Sequence, residues 1–426
     1  MMDNEFNPAE LAKSSKTFCI MPWIHQYAGP TGDIKPCCVY EHQYELGNLK
    51  NNTLKEIWNS DESKDLRLKL LNGEMHVACN RCEHVDARPN LNNKFLHKNI
   101  DTVASTLPDG TVEEHKIVYM DIRFNNLCNF SCRTCSPHFS TSWVTDFRKL
   151  HNITIKQEKN DGFQYPGNTE EQVLNEILPH LGHMQEIYFA GGEPMMQIEH
   201  YEVLKNLVEL GNTDCRIRYN TNFSRLQLGE HDVIDYWKKF NNILLCVSID
   251  GSHTRAEYWR HGTDWNIIVA NRTRLLKELP NIEFHIAYTL SWVNAHDLVK
   301  FHREWIELEY LKPNNIDVSL MTGPDYYVLY NIPDWKKEQI EKLFREHIEW
   351  LRQLGEPADH VISLYESAIA FMWKTPDRLN ETIKHFSRIT KKLDEIRDEN
   401  FFDTFSEHDD MKQYMTDNNL HATFDY

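Results

Sequence analysis

The chain has 426 residues, a net charge of −18, and is 41 % apolar and 12 % aromatic. That much apolar and aromatic material excludes an intrinsically disordered chain, and the acidity argues against a general nucleic-acid binder, whose phosphates it repels. The longest apolar runs, such as Ile243–Val247, have strand length and cannot span a bilayer.

The first fifteen residues lack the basic start and apolar stretch of a secretory signal. A cytoplasmic, reducing location is therefore expected, and with it no disulfide framework. Eight of the ten cysteines lie in the first 135 residues. Clustered thiols in a reducing compartment point to metal binding or redox chemistry.

Taken in chain order, residues 1–100 read as a small irregular cysteine-bearing domain with one helix over Thr53–Leu71. Residues 101–116 form a polar linker with a PDG turn. From 117 to 323 strand-like and helix-like runs alternate. The strands are IVYMDIRF, EIYFAG, CRIRYNTN, ILLCVSID, EFHIAYTLS and IDVSLMTG, with helices expected near 141–151, 200–210, 231–240, 264–279 and 295–311. Several strands look almost continuously apolar, as strands covered on both faces do. The alternation predicts an α/β fold with a parallel sheet and right-handed crossovers. Six such units make an open, partial (β/α)6 barrel, with the chemistry at the C-terminal strand ends. Residues 324–426 read as a helical C-terminal extension, with helices near 333–355, 359–374 and 377–399 and a loosely held polar tail beyond Asn400.

Directly after the first barrel strand comes CNFSCRTC, which sets Cys128, Cys132 and Cys135 at i, i+4 and i+7. Such a loop can wrap one cubane, ligating three irons and leaving the fourth open. The alternative is a zinc loop closed by a fourth ligand, for which His138 stands nearest. The second strand ends in Gly191, Gly192, Glu193 and Pro194. The glycines permit close backbone approach, and the carboxylate is an acceptor at the strand's C-terminal end.

In these two motifs the segment 117–323 resembles the radical S-adenosylmethionine (radical SAM) superfamily. The resemblance implies a partial barrel in which Cys128, Cys132 and Cys135 hold a [4Fe–4S] cluster whose open iron is chelated by S-adenosylmethionine. It implies that GGEP receives the methionine amino group, that Asn220 and Thr221 approach the ribose, and that Ser248 and Asp250 of SIDG lie near the cofactor. Arg260 corresponds to the basic residue that pairs with the methionine carboxylate, with Arg255 as the competing candidate. The residue before the third cysteine, aromatic in that family, is Thr134.

A second constellation comprises Cys19, then Gly32 and Cys37, then Cys79 and Cys82. Four thiolates from two separated loops complete a site for a closed iron–sulfur cluster or a zinc ion. The pattern resembles the twitch domain, the shortened SPASM domain, and implies one auxiliary [4Fe–4S] cluster, here ahead of the barrel rather than behind it. Cys38 is a spare thiol beside Cys37 and an alternative ligand. His25 and His84 lie close enough in sequence to hydrogen-bond cluster sulfurs. Cys215 and Cys246 fall inside strand patterns and read as buried apolar residues.

These resemblances imply an enzyme with two [4Fe–4S] clusters that reductively cleaves S-adenosylmethionine to a 5′-deoxyadenosyl radical. The radical abstracts hydrogen from a peptide or small-molecule substrate, with net oxidation assisted by the auxiliary cluster and electrons supplied by a flavodoxin or ferredoxin. The competing readings are a sulfur-transfer enzyme of the same superfamily and a non-catalytic iron–sulfur redox or sensor protein. No substrate-handling catalytic residue is assigned.

Overall fold

The computed structural model describes residues 10–11, 14–82, 87–153, 162–376 and 378–420. The chain divides into two compact units. The first comprises Met1–Asn126, Phe163–Tyr219 and Leu228–Ile243; the second comprises Leu127–Gly162, Asn220–Gln227 and Leu244–Tyr426. His84 falls outside the described residues.

The first unit is built on strands β1 (His25–Ala28), β2 (Asp33–Lys35), β3 (Gly47–Asn48), β4 (Tyr119–Ile122), β5 (Glu186–Phe189) and β6 (Arg216–Thr221). Strand β1 pairs in parallel with β4, β4 with β5, and β5 with β6. The antiparallel β1–β2 and β2–β3 pairs extend the opposite edge. The cysteine-bearing N-terminal segment thus supplies three strands to a sheet.

Side chains alternate across a sheet with period two, and the register here sorts them sharply. Tyr27, Asp121, Tyr188 and Arg218 form one row across the four parallel strands, and His25, Tyr119, Glu186 and Arg216 form the next row on the same face. The opposite face carries Met120, Ile122, Ile187, Phe189 and Ile217, all buried. The expectation of strands apolar on both faces is corrected by this finding. One face is apolar and the other is charged yet largely enclosed. On the apolar side lie helices Ile198–Glu209 and Val233–Trp237. The Tyr219 hydroxyl, buried there, is satisfied by His200 Nε2 at 2.7 Å and by the Trp237 indole N–H at 3.2 Å.

The expected helix over Thr53–Leu71 is two helices, Leu54–Trp58 and Asp61–Leu71. Thr53 caps the first through a reciprocal capping box with Glu56, and Ser60 caps the second. Two N-cap residues seven apart restart the helix rather than let it run through. Helix Ala87–Ala104 continues into the expected linker, so the non-helical stretch starts at Ser105.

The second unit carries β7 (Ile243–Ser248), β8 (Glu283–Leu290) and β9 (Ile316–Leu320), paired in parallel in that order. Helices Trp265–Glu278 and Ala295–Glu307 occupy their crossovers. All six strands expected between 117 and 323 are therefore present, three paired in each unit. Helices Asp334–Gln353, Asp359–Met372 and Leu379–Arg397 form the expected extension.

The polar tail is the other correction. Residues beyond Asn400 form helices Phe401–Thr404 and Asp409–Asp417. Phe401, Phe405 and His408 pack together, with Trp292 5.1 Å from His408 between ring centroids. Three buried aromatic rings anchor a segment whose composition is otherwise polar.

Helix Leu379–Arg397 and the turn after it grip the 128–135 loop. Arg133 is buried, its Nη2 bonded to Asp394 and, at 2.6 Å, to Glu399, with its guanidinium 3.8 Å from the Tyr258 ring centroid. Arg397 bonds Asp146 at 2.9 Å and the Ser131 carbonyl at 2.7 Å. Removing one partner from such a buried group strands the others, at a cost of about 3–5 kcal/mol. Arg133→Met should therefore lower unfolding stability by about that amount, read as a fall in the urea midpoint.

Candidate functional site

In the second unit the 128–135 loop is held by its backbone as well as by the arginines. Ser131 N–H donates to the His261 carbonyl at 2.8 Å and Arg133 N–H to that of Trp259 at 2.9 Å. Gly262, at φ +105°, lets the two segments meet, since a Cβ there would stand 2.7 Å from the Asn129 carbonyl oxygen. Phe130, an aromatic within the loop, is buried against this glycine. The Trp143 indole donates to the Cys132 carbonyl at 2.6 Å.

Cys132 is the buried thiol of the three. Arg260 Nη1 lies 3.9 Å from its sulfur, and Arg260 Nη2 lies 2.8 Å from Asp250 Oδ2. Burial opposes the charge on Arg260, yet Asp250 and the Cys132 thiol raise its pKa above the ordinary value. Burial likewise raises the Asp250 carboxyl and the Cys132 thiol, with Arg260 acting against both shifts. Burial pushes Cys135 up to about 12. Asp250 is itself fixed, accepting the Thr289 N–H at 2.7 Å through its side chain and the Asn294 amide at 3.1 Å through its carbonyl.

The structure thus brings together Cys132, Asp250 and Arg260, with Cys135 close enough to Cys132 to feel its charge. Arg255 goes elsewhere, pairing with Glu407 at 2.6 Å and lying 3.8 Å from Asp297. Ser248 ends β7 and is half-buried. Thr221 accepts the Phe223 N–H at 3.0 Å, and Asn220 beside it is half-buried. Asn222, one step past the residues singled out in YNTN, has its amide 3.9 Å from the Cys128 sulfur and 3.0 Å from Asn129 Oδ1. A polar residue just beyond a strand's C-terminal end was the available signal for it.

The GGEP segment belongs to the first unit. Gly191 sits at φ +115°, where a Cβ would meet that of Arg123 at 2.9 Å. Gly192 N–H donates to the Asn125 carbonyl at 3.3 Å. Glu193 is 1 % exposed and accepts the Met195 N–H at 3.2 Å.

Also in the first unit, Cys19, Cys37, Cys79 and Cys82 line one cavity of about 340 Å³, together with Cys38 and His25. Tyr119, Asp121 and Arg218 of the charged sheet face line it as well. Asp121 is paired with Arg123, whose guanidinium lies 4.5 Å from the Tyr27 ring centroid. Burial raises the Asp121 carboxyl and Arg123 opposes it. Burial raises the Cys37 thiol well above its usual range, with Cys19, Cys38 and Cys79 adding to the shift. Burial lowers His25 to about 3, so its imidazole is neutral.

Among the described residues no three His, Cys, Asp or Glu side chains are gathered so as to hold a single metal ion. Four thiols spread around one enclosed space suit a larger multi-iron group, whose chemistry favours soft sulfur donors.

Residues 19–83 match the SPASM model, an iron–sulfur cluster-binding domain. The chain finds no match among curated proteins. It is similar to solved structures described as native anSMEcpe with bound AdoMet, at 16 % identity and a TM-score of 0.39, covering 55 % of this chain and 60 % of that one. The same protein with AdoMet and a Cp18Cys peptide gives 16 % identity, a TM-score of 0.37, and 55 % and 59 % coverage. TYW1 with a lysine–pyruvate adduct gives 13 %, a TM-score of 0.30, and 54 % and 71 %. The chain spans about three fifths of the length of the anSMEcpe structures. No helix among the described residues is long and apolar enough to cross a membrane.

A titration follows from Asp297, whose Oδ2 accepts the Ser252 N–H at 2.6 Å just after SIDG. Burial raises its carboxyl to about 6, while the Ser252 bond and Arg255 act the other way. The folded state then holds this proton more tightly than the unfolded chain. The stability it contributes is full below pH ~4 and is lost as pH rises to about 6. Asp297→Asn keeps an acceptor and removes the titration. Its stability relative to wild type should improve by about 2–3 kcal/mol between pH ~4 and ~7, measured by urea melts across that range.

Proposed function

We propose that the chain is a radical SAM enzyme with an auxiliary cluster in its SPASM-type segment. The observation that carries this reading is the CxxxCxxC loop with the half-buried Arg260, paired to the buried Asp250, beside Cys132. A closed zinc loop leaves no metal site to which an outside ligand could bring a carboxylate for this guanidinium. An open-iron cluster whose ligand carries a carboxylate does.

The residues fit the groups assigned to them. Cys128, Cys132 and Cys135 would hold one [4Fe–4S] cluster; Cys19, Cys37, Cys79 and Cys82 line the space for the second. With S-adenosylmethionine bound, the first cluster supplies one-electron cleavage of a sulfonium and hence a 5′-deoxyadenosyl radical. The chain's own part is to bind, orient and enclose. Arg260 receives the methionine carboxylate while Asp250 keeps the guanidinium in place. Gly191, Gly192, Glu193 and Pro194 are assigned to the amino group, Asn220 and Thr221 to the ribose, and Ser248 to the cofactor's side of β7. Burial of Arg260 and Asp250 strengthens each contact by keeping water out.

The substrate is a peptide or small molecule, oxidised with the auxiliary cluster as electron acceptor and a flavodoxin- or ferredoxin-type reductant supplying the first electron. The auxiliary cavity supports oxidation over sulfur transfer, because its thiols suffice to ligate every iron, whereas a sulfur donor keeps one iron open.

Anaerobically reconstituted protein should carry about eight irons. Replacing Cys128, Cys132 and Cys135 together by Ala should halve the iron and abolish 5′-deoxyadenosine formation under dithionite. Continued cleavage in that variant would overturn the reading. Arg260→Ala should weaken S-adenosylmethionine binding roughly ten- to a hundredfold with iron unchanged, whereas Arg255→Ala should bind as wild type. Equilibrium titration of the three proteins decides between the two arginines.

A further inference from the structure

The auxiliary cavity contains a nitrogen that the four-thiol assignment leaves unused. His25 is 2 % exposed, and its Nδ1 lies 2.8 Å from the Pro36 carbonyl. A carbonyl only accepts, so this contact assigns the proton to Nδ1 and leaves a lone pair on Nε2 of the neutral ring. Nε2 is buried and has no hydrogen-bond partner among the described residues. The ring lines the cavity shared by Cys19, Cys37, Cys79 and Cys82, and Tyr119 packs on it at 4.4 Å between centroids.

Burying a bare lone pair unpaired costs free energy. A cation at that point removes the cost. A backbone carbonyl on the far ring nitrogen is also the usual support of a metal-bound histidine, since it fixes both tautomer and ring orientation.

We propose that His25 Nε2 is a ligand to one iron of the auxiliary cluster. This rests on the cluster reading of the cavity and is independent of S-adenosylmethionine chemistry. Four irons then draw on five donors, so one of the four cysteines is left free in the loaded protein. It is available to take over that iron when the histidine is removed.

The test uses the full-length chain with Cys128, Cys132 and Cys135 replaced by Ala, so that only the auxiliary cluster loads. After reduction, pulsed hyperfine spectroscopy should show the strong nitrogen-14 coupling of an iron-bound imidazole. Adding His25→Asn places an amide N–H where Nδ1–H stood, which preserves the bond to Pro36 and removes the ligand nitrogen. That protein should retain its iron, lose the strong coupling, and change its midpoint potential as a thiolate replaces the imidazole. Weak coupling alone before the change would make His25 a hydrogen-bonding neighbour and overturn the proposal. So would a strong coupling that survives His25→Asn. If the cysteine triple variant takes up no iron, the auxiliary-cluster reading fails and this proposal fails with it, whereas the cleavage assay on the intact chain is untouched.

Discussion

A guanidinium largely withdrawn from water is tolerable only where a carboxylate is fixed beside it, and the half-buried Arg260 depends on the buried Asp250 for this. The pair in turn depends on a small set of fixed donors. Thr289 N–H and the Asn294 side chain hold Asp250, and Ser252 N–H with Asp297 shapes the turn that follows. Charge beside Cys132 is thus secured by strand ends rather than by mobile loops. A site made this way reorganises little when an anionic ligand arrives, which is what electrostatic preorganisation requires.

The first unit solves a different problem. Its sheet buries aliphatic side chains on one face and a lattice of tyrosines, arginines and carboxylates on the other. The row from Tyr27 through Asp121 and Tyr188 to Arg218 is neutralised by pairing and by ring faces, since Arg218 lies 4.7 Å from the Tyr188 centroid. A surface that is polar yet enclosed can hold a polar molecule at little cost in desolvation. It is also the surface onto which the auxiliary thiols open, so thiols and polar wall share one space.

Much of this was legible in the chain. Alternating runs of Ile, Val, Tyr and Phe located all six strands because parallel pairing demands such segments, and cysteine spacing picked out the four thiols that line one cavity. Other features were hidden for physical reasons. Tyr119, Asp121 and Arg123 alternate with apolar neighbours, a period-two signal that the overall apolar appearance of IVYMDIRF concealed. The Asn59–Ser60 interruption is a capping event, visible only when each side chain is matched to an N–H. The grip of Asp394 and Glu399 on Arg133 joins residues 261 and 266 positions apart, and no local pattern encodes such a contact. His25 showed as a neighbour of the cysteines, but its bare nitrogen depends on a carbonyl eleven residues away.

That long-range grip has a consequence in time. A ribosome adding about 5–20 residues per second needs roughly ten to fifty seconds to pass from Arg133 to Glu399. Through that interval the loop carrying Cys128, Cys132 and Cys135 lacks the helix that pins it. The four cysteines from 19 to 82 need no partner beyond Arg218, the last of the residues lining their cavity. The segments that enclose the first set of thiols are therefore synthesised before those that pin the second. For a protein that loads oxygen-sensitive metal, the chain's last helices decide how long that interval lasts.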